Sequence, residues 1–423
     1  MNATTIDMRK YFAWMVENYF TTRRNKRYGR DQMQYEENWV ALSVRAMRER
    51  LERSFRIRHN YTFLVSVPKW REIFATEFAG RLADHELCDT LAPFLEEELS
   101  GRTYNNRKNK GGQAAINQLI DDMCEVSCEY TKTGWVIKND ISGYFPSAVW
   151  DYAEQCITKV IEHHRKELGE IGGERGWKDG DEYVDYLLWL TMVLVHANPA
   201  AHCEMRSPRY MWREHISPEK SLLGRNEGVG AAIGRLVWQT AMGLYINDDI
   251  RWLNEEMGVR VVCFVDDIAM VVPDERKEYA LSLLPELRRR LAEKGLEING
   301  RKFYCQTIAK GVEFLGSHIR PYRIHVNNKT FGRALGRVGE INRAAIQSRH
   351  TERWVDMLLA SVNSYTGLMK NRTDYKRIGI LRRTIDGGWW KYVRWDAMRR
   401  CLVYKEGWGI RDRMKRRWRL TAS

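Results

Sequence analysis

Two adjacent acids set in a β-forming stretch constrain this chain more than any other feature. In residues 261–272, Asp266 and Asp267 separate two apolar runs of five residues each, a pattern that predicts a β-hairpin with both acids at its tip. Tight hairpin turns need positive φ and favour Asn-Gly or Asp-Gly, whereas this tip has two negative charges and no glycine. An external cation such as Mg²⁺, which suits oxygen ligands, is the simplest compensation. A polar hairpin tip without metal is the alternative at this point.

A second β-type run also ends in an acid. Residues 134–139 lead to Asp140, and a turn that contains Tyr144 and Phe145 follows. A strand-end aspartate that meets a hairpin acid pair supplies the carboxylates that hold two metal ions in nucleotidyl transfer. The two segments together favour a two-metal site over a merely polar hairpin tip.

Two cations beside a strand break provide a counterpart for a triphosphate. Residues 61–74 alternate as a strand does and break at Pro68, just ahead of Lys69 and Arg71. The two cations are two residues apart on an extended segment and therefore point to the same side. There they can neutralise an incoming triphosphate.

These motifs resemble those of reverse transcriptases. Residues 140–147 resemble motif A, and Phe-Val-Asp-Asp at 264–267 is similar to the family's Tyr-X-Asp-Asp box. Further blocks follow in the family's order. Residues 220–239 resemble the family's Lys-Ser-Leu and glycine block, residues 296–302 resemble motif D, and residues 311–316 resemble the Phe-Leu-Gly primer grip. Residues 68–75 and 361–367 resemble segments of diversity-generating retroelement enzymes.

The resemblance departs from the family pattern at two places. Trp238 stands where the family has a small serine, which predicts an altered template or product. Residues 102–112 keep only the basic-glycine pattern of their family counterpart. Arg107 and Lys108 are therefore either template contacts or parts of a surface loop.

The resemblance implies an α+β right-hand polymerase, with fingers and a palm around an antiparallel sheet and a helical thumb. It implies RNA-directed DNA polymerase activity on dNTPs with two Mg²⁺ ions, or alternatively Mn²⁺. The resemblance implies that the metal ligands are Asp140, Asp266, Asp267 and the backbone carbonyl of Ile141. It implies that Lys302 protonates the leaving pyrophosphate, with a plain phosphate contact as its rival role. The implied dNTP contacts are Lys69, Arg71 and Gln239, and the residue that blocks the ribose 2′ hydroxyl is Phe145, with Tyr144 as the adjacent alternative.

The 423-residue sequence predicts three regions. They are a helical N-terminal extension at 1–60 that packs on the fingers, fingers and palm at 61–330 with an insertion at 163–181, and a basic helical thumb with its tail at 331–423. The insertion is rich in Glu, Lys and Gly without a core pattern, and we predict that it is mobile.

Other polar features are expected to be ordinary. Asp248 and Asp249 lie in a helical pattern and are predicted to form a solvated face. The eight cysteines include no Cys-X-X-Cys pair and are expected to be free thiols. Since no apolar run reaches membrane-spanning length and no signal-peptide pattern is present, a cytoplasmic protein is expected.

Charge indicates the kind of partner. Lys and Arg number 69 against 55 Asp and Glu, a formal net charge of +14 that favours a polyanion. Basic clusters at residues 23–27, 45–58 and 411–419 either grip nucleic acid or form solvated faces. The family resemblance implies a structured non-coding RNA template and a DNA primer or product, in a diversity-generating retroelement or an antiphage-defence system.

Several alternatives remain open from the sequence. An accessory protein or a second copy of the chain can complete the assembly. On the same palm, the chain can instead be a template-independent or atypically templated nucleotidyltransferase, or a nucleic-acid-binding relative without catalysis. Asp140, Asp266, Asp267, Lys302 and Lys69 occur together, which argues against the inactive relative.

Truncation after Gly409 tests the basic tail. We expect the truncated chain to bind the co-purifying RNA more weakly. The slope of log affinity against log salt concentration should become flatter by about one for each phosphate that the tail neutralises. Extension of a supplied primer-template should change little. A full-length control in which Lys415, Arg416 and Arg417 become Gln separates charge from chain length. Unchanged RNA affinity and salt slope in the truncated chain would leave the tail as a solubilising end only.

Overall fold

The computed structural model describes residues 6–24, 29–66, 69–348 and 351–409. The basic tail at 411–419, most of the cluster at 23–27, and Pro68 therefore lie outside the described residues. The chain divides into two units, Met1–Leu119 with Ile137–Tyr304 and Ile120–Val136 with Cys305–Ser423. Among the described residues there is no helix with the length and apolar character that crossing a bilayer requires.

The described residues form helices and strands in the following order. Up to the end of the first unit they are α1 (Met8–Arg23), α2 (Arg30–Glu37), α3 (Trp39–Leu51), β1 (Asn60–Val65), β2 (Arg71–Thr76), α4 (Phe78–Glu98), α5 (Gly112–Val126), β3 (Gly134–Ser142), α6 (Trp150–His163), α7 (Arg165–Glu174), α8 (Gly180–Val195), β4 (Cys203–Met205), α9 (Arg209–His215), α10 (Leu236–Tyr245), α11 (Asn247–Arg251), β5 (Arg260–Phe264), β6 (Asp267–Pro273), α12 (Lys277–Ser282), α13 (Leu284–Ala292) and β7 (Glu297–Ile298). They continue with β8 (Tyr304–Thr307), β9 (Val312–Phe314), β10 (Ser317–Arg320), β11 (Arg323–Val326), α14 (Asn328–Ser348), α15 (Glu352–Lys370), α16 (Tyr375–Arg383), β12 (Val393–Asp396) and β13 (Cys401–Tyr404).

The sheet that carries the predicted site has strands in the order β5-β6-β3-β7. β5 and β6 form the predicted antiparallel hairpin, with Phe264 opposite Asp267. β3 pairs antiparallel with β7, where Ile141 faces Ile298. Almost every side chain of the hairpin between its ends is buried, because apolar residues in consecutive positions can be covered on both faces of a central sheet.

A second sheet of the first unit has the order β2-β1-β4. β1 and β2 pair antiparallel from Asn60 opposite Thr76 to Val65 opposite Arg71. This hairpin is the predicted fingers segment, and it carries Arg71 at the first position of β2. β4 adds to β1 in the parallel direction.

The N-terminal helices belong to the core of the first unit. Arg50 donates from Nε to Glu86 Oε2 at 2.6 Å, and both side chains are fully buried. Tyr186 also donates its hydroxyl to Glu86. In the basic cluster at 45–58, Arg45 and Arg58 each pair with Glu49 at 2.7 Å, and several of its cations are therefore already neutralised.

The predicted mobile insertion at 163–181 is instead a packed helix. α7 lies against α8, and its Leu168 is fully buried. A Cβ added at Gly172 would come within 2.6 Å of the Tyr183 side chain, and one at Gly169 within 3.2 Å of the Gly180 backbone. Gly169 and Gly172, which suggested a loop, are therefore positions at which two helices approach closely.

The second unit has a core of its own. The sheet β11-β10-β9 joins the helices through Asp374, which accepts from Val326 N at 2.6 Å and contacts His325 at 2.9 Å. Its buried side chains are Val326, Ala334, Val338, Ile341, Ala345, Val355, Leu358, Val362, Met369, Ile378, Leu381, Ile385, Trp389, Val393 and Leu402. Residues 305–330, predicted to belong to the palm, thus group with the helices of the predicted thumb.

Replacing Glu86 by Ala should unfold the first unit more easily. The change leaves the Arg50 guanidinium buried without its carboxylate, a loss of about 3–5 kcal/mol. A urea titration followed by circular dichroism measures it. The matched control is Arg45→Ala, which removes an exposed pair and should cost less than about 1 kcal/mol. Equal midpoints for the two variants would contradict the buried-pair account.

Candidate active site

The turn of the β5–β6 hairpin has an unusual backbone. Val265 has φ +59°, a conformation that β-branched residues rarely adopt and that costs on the order of 1–2 kcal/mol. Its N–H donates to Asn105 Oδ1 at 3.3 Å. On the edge of β5, Cys263 N donates to Arg102 O at 2.9 Å and Tyr104 N to Cys263 O at 3.0 Å. Residues 102–105 therefore clamp the hairpin and hold its tip in this shape.

The acid of β3 lies next to the hairpin tip. Ile141 N donates to the backbone carbonyl of Asp266 at 3.0 Å, which fixes the end of β3 beside the turn. Asp140, one residue earlier, accepts from Lys302 Nζ at 2.7 Å. The structure thus brings together Asp140, Ile141, Asp266 and Lys302, four of the predicted residues.

A lysine that the sequence interpretation missed neutralises the second hairpin acid. Lys138 Nζ lies 2.8 Å from Asp267 Oδ1. Lys138 precedes Asp140 by two residues on β3, and strand alternation therefore places both side chains on the same face. That period-two spacing was the signal in the sequence.

The charge of Asp266 is not neutralised in this way. Burial first, and then the nearby charges of Asp267 and Asp140, raise the pKa of Asp266 above its ordinary value, while Lys302 opposes the shift. A carboxyl group with a raised pKa in the folded state favours folding only while it is protonated. As the pH rises through the pKa of the unfolded and then the folded state, ionised Asp266 costs the fold free energy.

The donor set fits divalent cations. Three carboxylates, from β3, the hairpin turn and the start of β6, supply hard oxygen ligands. A cation beside Asp266 would offset the burial and the neighbouring negative charges that raise its pKa. Asp140 contacts Lys302 and Asp267 contacts Lys138, so a cation at either carboxylate would share it with a lysine. The assignment of Asp140 and Asp266 as the main ligands stays a prediction. The Ile141 carbonyl as a further ligand stays a prediction.

The predicted triphosphate cations are both exposed, at the start of β2. Glu72, which directly follows Arg71 on β2, is buried and was not singled out in the sequence. It accepts from Trp212 Nε1 at 2.7 Å and from Ser221 Oγ at 2.8 Å, and from the Leu222 amide at 2.8 Å. Glu72 thus ties the Lys69–Arg71 segment to the Lys-Ser-Leu block.

The aromatic turn after Asp140 is split between core and surface. Tyr144 is buried and donates its hydroxyl to the Met242 carbonyl at 2.6 Å. Burial is the main cause that raises the pKa of Tyr144 well above its ordinary value. Phe145 is half-buried, and its ring meets that of Tyr144 edge-on at 5.8 Å between centroids. The buried Tyr144 ring therefore supports the Phe145 ring through this edge-on contact.

The glycine block adjoins the same turn. Ala231 N donates to the Phe145 carbonyl at 2.8 Å. Gly234 has φ +119°, and a Cβ there would lie 2.5 Å from the Phe74 carbonyl oxygen, so only glycine fits. The following Arg235 is buried and pairs with Asp84 at 2.6 Å, which anchors the start of α10.

Trp238 and Gln239 occupy different environments on α10. The Trp238 side chain is fully buried, and its indole nitrogen has no hydrogen-bond partner among the described residues. Gln239 is half-buried, and its backbone carbonyl accepts a hydrogen bond from Asn106 Nδ2 at 3.3 Å. The expected effect of Trp238 on the template would therefore be indirect, through the packing of α10, while the dNTP contact of Gln239 stays a prediction.

Two other expectations need correction. Asp249 is not on a solvated face, because it is buried and bonds Arg290 at 3.1 Å and Lys294 at 2.5 Å; only Asp248 is exposed. Arg107 donates to the Glu96 carboxylate and to the backbone carbonyls of Ser100, Thr103 and Glu96, so its guanidinium is committed within the fold. Lys108 is exposed.

Sequence comparison identifies the family of one segment. Residues 229–319 match the family described as reverse transcriptase (RNA-dependent DNA polymerase). The matched segment runs from the glycine block through the Asp266–Asp267 hairpin to β10. No curated protein matches the chain.

Solved structures give two comparisons. The apo telomerase from Candida tropicalis is 10% identical with a TM-score of 0.45, over 78% of this chain and 59% of that one. The form truncated from its C-terminal domain is 12% identical with a TM-score of 0.40, over 64% and 55%. This chain thus spans little more than half the length of either. The predicted α+β fold is confirmed by the helices, the antiparallel sheets and the reverse transcriptase domain.

Substitution of Phe145 by Val tests the sugar gate. If the ring blocks a ribose 2′ hydroxyl, the ratio of rNTP to dNTP incorporation should rise on the order of tenfold or more, while dNTP use falls less. Single-nucleotide incorporation with each substrate measures the ratio. Phe20→Val, at an exposed position on α1, is the matched control. Unchanged discrimination would place the gate elsewhere.

Proposed function

We propose that this chain is an RNA-directed DNA polymerase that adds dNTPs to a primer 3′ end by two-metal nucleotidyl transfer. The main support for the proposal is the backbone hydrogen bond from Ile141 to Asp266, which places Asp140 of β3 beside Asp266 and Asp267 of the hairpin. The reverse transcriptase match over residues 229–319 includes this hairpin and supports the same activity.

Asp140 and Asp266 would hold the metal pair in this mechanism. When bound, two Mg²⁺ ions supply an activated primer hydroxyl and charge stabilisation on the leaving pyrophosphate. Asp267, paired with Lys138, would support Asp266 at the hairpin tip. A neighbouring cation would favour the ionised form of Asp266, whose pKa the fold raises.

Substrate contacts come from the surrounding segments. Lys69 and Arg71 are exposed on one side of the fingers hairpin and would orient the triphosphate. Phe145 would exclude the 2′ hydroxyl. Lys302, whose ammonium lies 2.7 Å from Asp140, is within the site and can donate a proton to pyrophosphate or bind its charge.

The template would be a structured non-coding RNA, and the product DNA. The net charge of +14 and the resemblance of residues 68–75 and 361–367 to diversity-generating retroelement enzymes support this partner. The biological setting we propose is such a retroelement or an antiphage-defence system, with a protein that works in the cytoplasm. An accessory protein or a second copy would complete the assembly.

The double variant Asp266→Ala with Asp267→Ala tests the activity. Incorporation of labelled dNTP in Mg²⁺ should fall by a factor on the order of 10³ or more. The urea midpoint at neutral pH should stay equal or rise, because ionised Asp266 costs the fold free energy. Asp248→Ala, at an exposed acid on α11, is the matched control.

The same assay distinguishes the alternatives. Incorporation that requires added RNA and follows its sequence supports the proposal. Incorporation without RNA would indicate a template-independent nucleotidyltransferase. Wild-type rates in the double variant would rule out the assigned acids, and absence of incorporation in the parent with intact RNA binding would favour an inactive nucleic-acid-binding protein.

A further inference from the structure

A second group of ligand-type side chains lies where two helices of the first unit end. Glu98 is the last residue of α4, His163 is the last residue of α6, and His164 follows it. One ligand atom from each lies within 4.8 Å of the other two, and no other trio of His, Cys, Asp or Glu side chains in the described part of the chain meets this condition. None of the three belongs to the motifs of the proposed polymerase.

The distances already approach those of a metal centre. His164 Nε2 lies 3.2 Å from Glu98 Oε1, and His163 Nδ1 hydrogen-bonds the same oxygen. In a tetrahedral zinc site with bonds of about 2.0–2.1 Å, neighbouring ligand atoms are about 3.3 Å apart. With all three ligand atoms within 4.8 Å of one another, this cluster has the dimensions for a single ion.

The surroundings hold two of the ligands in place. The His164 ring is buried and packs on Phe94 with 4.6 Å between centroids. Asn247 Nδ2 donates to the Glu98 carbonyl at 2.9 Å and Asn247 Oδ1 accepts from Ser100 N at 2.8 Å, which fixes the end of α4. Such supporting bonds orient ligands in metal sites.

The third ligand faces solvent. The His163 side chain is 71% exposed, which leaves room for water at the remaining coordination position. The nearest basic residue in sequence, Arg165, donates to Glu162 at 2.8 Å and to Asp181 at 2.9 Å. Its charge is therefore balanced by carboxylates of its own.

We propose that Glu98, His163 and His164 form a binding site for a single first-row divalent cation of the zinc class. Two imidazoles and one carboxylate are a donor set that Zn²⁺ takes in proteins. Each neutral imidazole coordinates through the nitrogen that now faces Glu98 and carries its proton on the other one. The ion joins the C-terminal ends of α4 and α6, and it serves stability rather than nucleotidyl transfer.

The test uses the full chain, without a polyhistidine tag, in the Asp266→Ala, Asp267→Ala background that disables the palm site. Titration with ZnCl₂ by calorimetry should give one ion per chain, and CoCl₂ should produce the visible absorption of a tetrahedral centre. A hundredfold excess of ZnCl₂ over its dissociation constant should raise the melting temperature by about 5 °C, whereas MgCl₂ should not.

Variants assign the site. His163→Ala changes an exposed side chain and should fold, yet weaken Zn²⁺ binding at least about 100-fold and abolish the cobalt spectrum. Glu98→Gln should act in the same direction. The control is His85→Ala, since His85 bonds a single carboxylate, Asp89, at 3.1 Å. Equal Zn²⁺ binding by parent and His163→Ala, or no stoichiometric binding by the parent, would overturn the proposal and leave a hydrogen-bonded clamp.

Discussion

Repulsion among carboxylates is the constraint on which the rest of the first unit depends. Asp266 lies half-buried next to Asp267 and close to Asp140, and burial first and then these two charges raise its pKa above the ordinary value. The fold limits this repulsion with two lysines, one on β3 itself and one after β7. A cation that binds Asp266 would add to the compensation that these two lysines already provide.

The backbone around these acids is fixed by buried polar contacts rather than by apolar packing alone. The clamp of residues 102–105 holds Val265 in a strained conformation, and the Arg235–Asp84 pair fixes the start of α10 behind the glycine block. Buried ion pairs add little net stability but are strongly destabilising when one partner is removed. Their value here is positional, since each one sets the orientation of a segment that carries predicted substrate contacts.

Much of the fold and of the site follows from local pattern. The hairpin at 261–272 was predictable because its apolar runs and acids lie close together in sequence, and Asp140 because it ends a β-type run. Asp249 was misjudged because its cations are 41 and 45 residues away, beyond any local window. The segment 163–181 was misjudged because close helix packing and a loop require the same residue, glycine. The substrate contacts predicted for the remaining side chains depend on where the substrate binds, and a local sequence pattern gives no information on that position.

The three hydrogen bonds to Glu72 have a consequence for motion. Its carboxylate binds donors from Trp212, Ser221 and Leu222 inside a buried pocket, so the β1–β2 hairpin cannot rotate without carrying residues 212–222 with it. In the proposed polymerase, closure of the fingers over a nucleotide would therefore move both segments together. A triphosphate bound by Lys69 and Arg71 would then move toward the palm together with the Lys-Ser-Leu block.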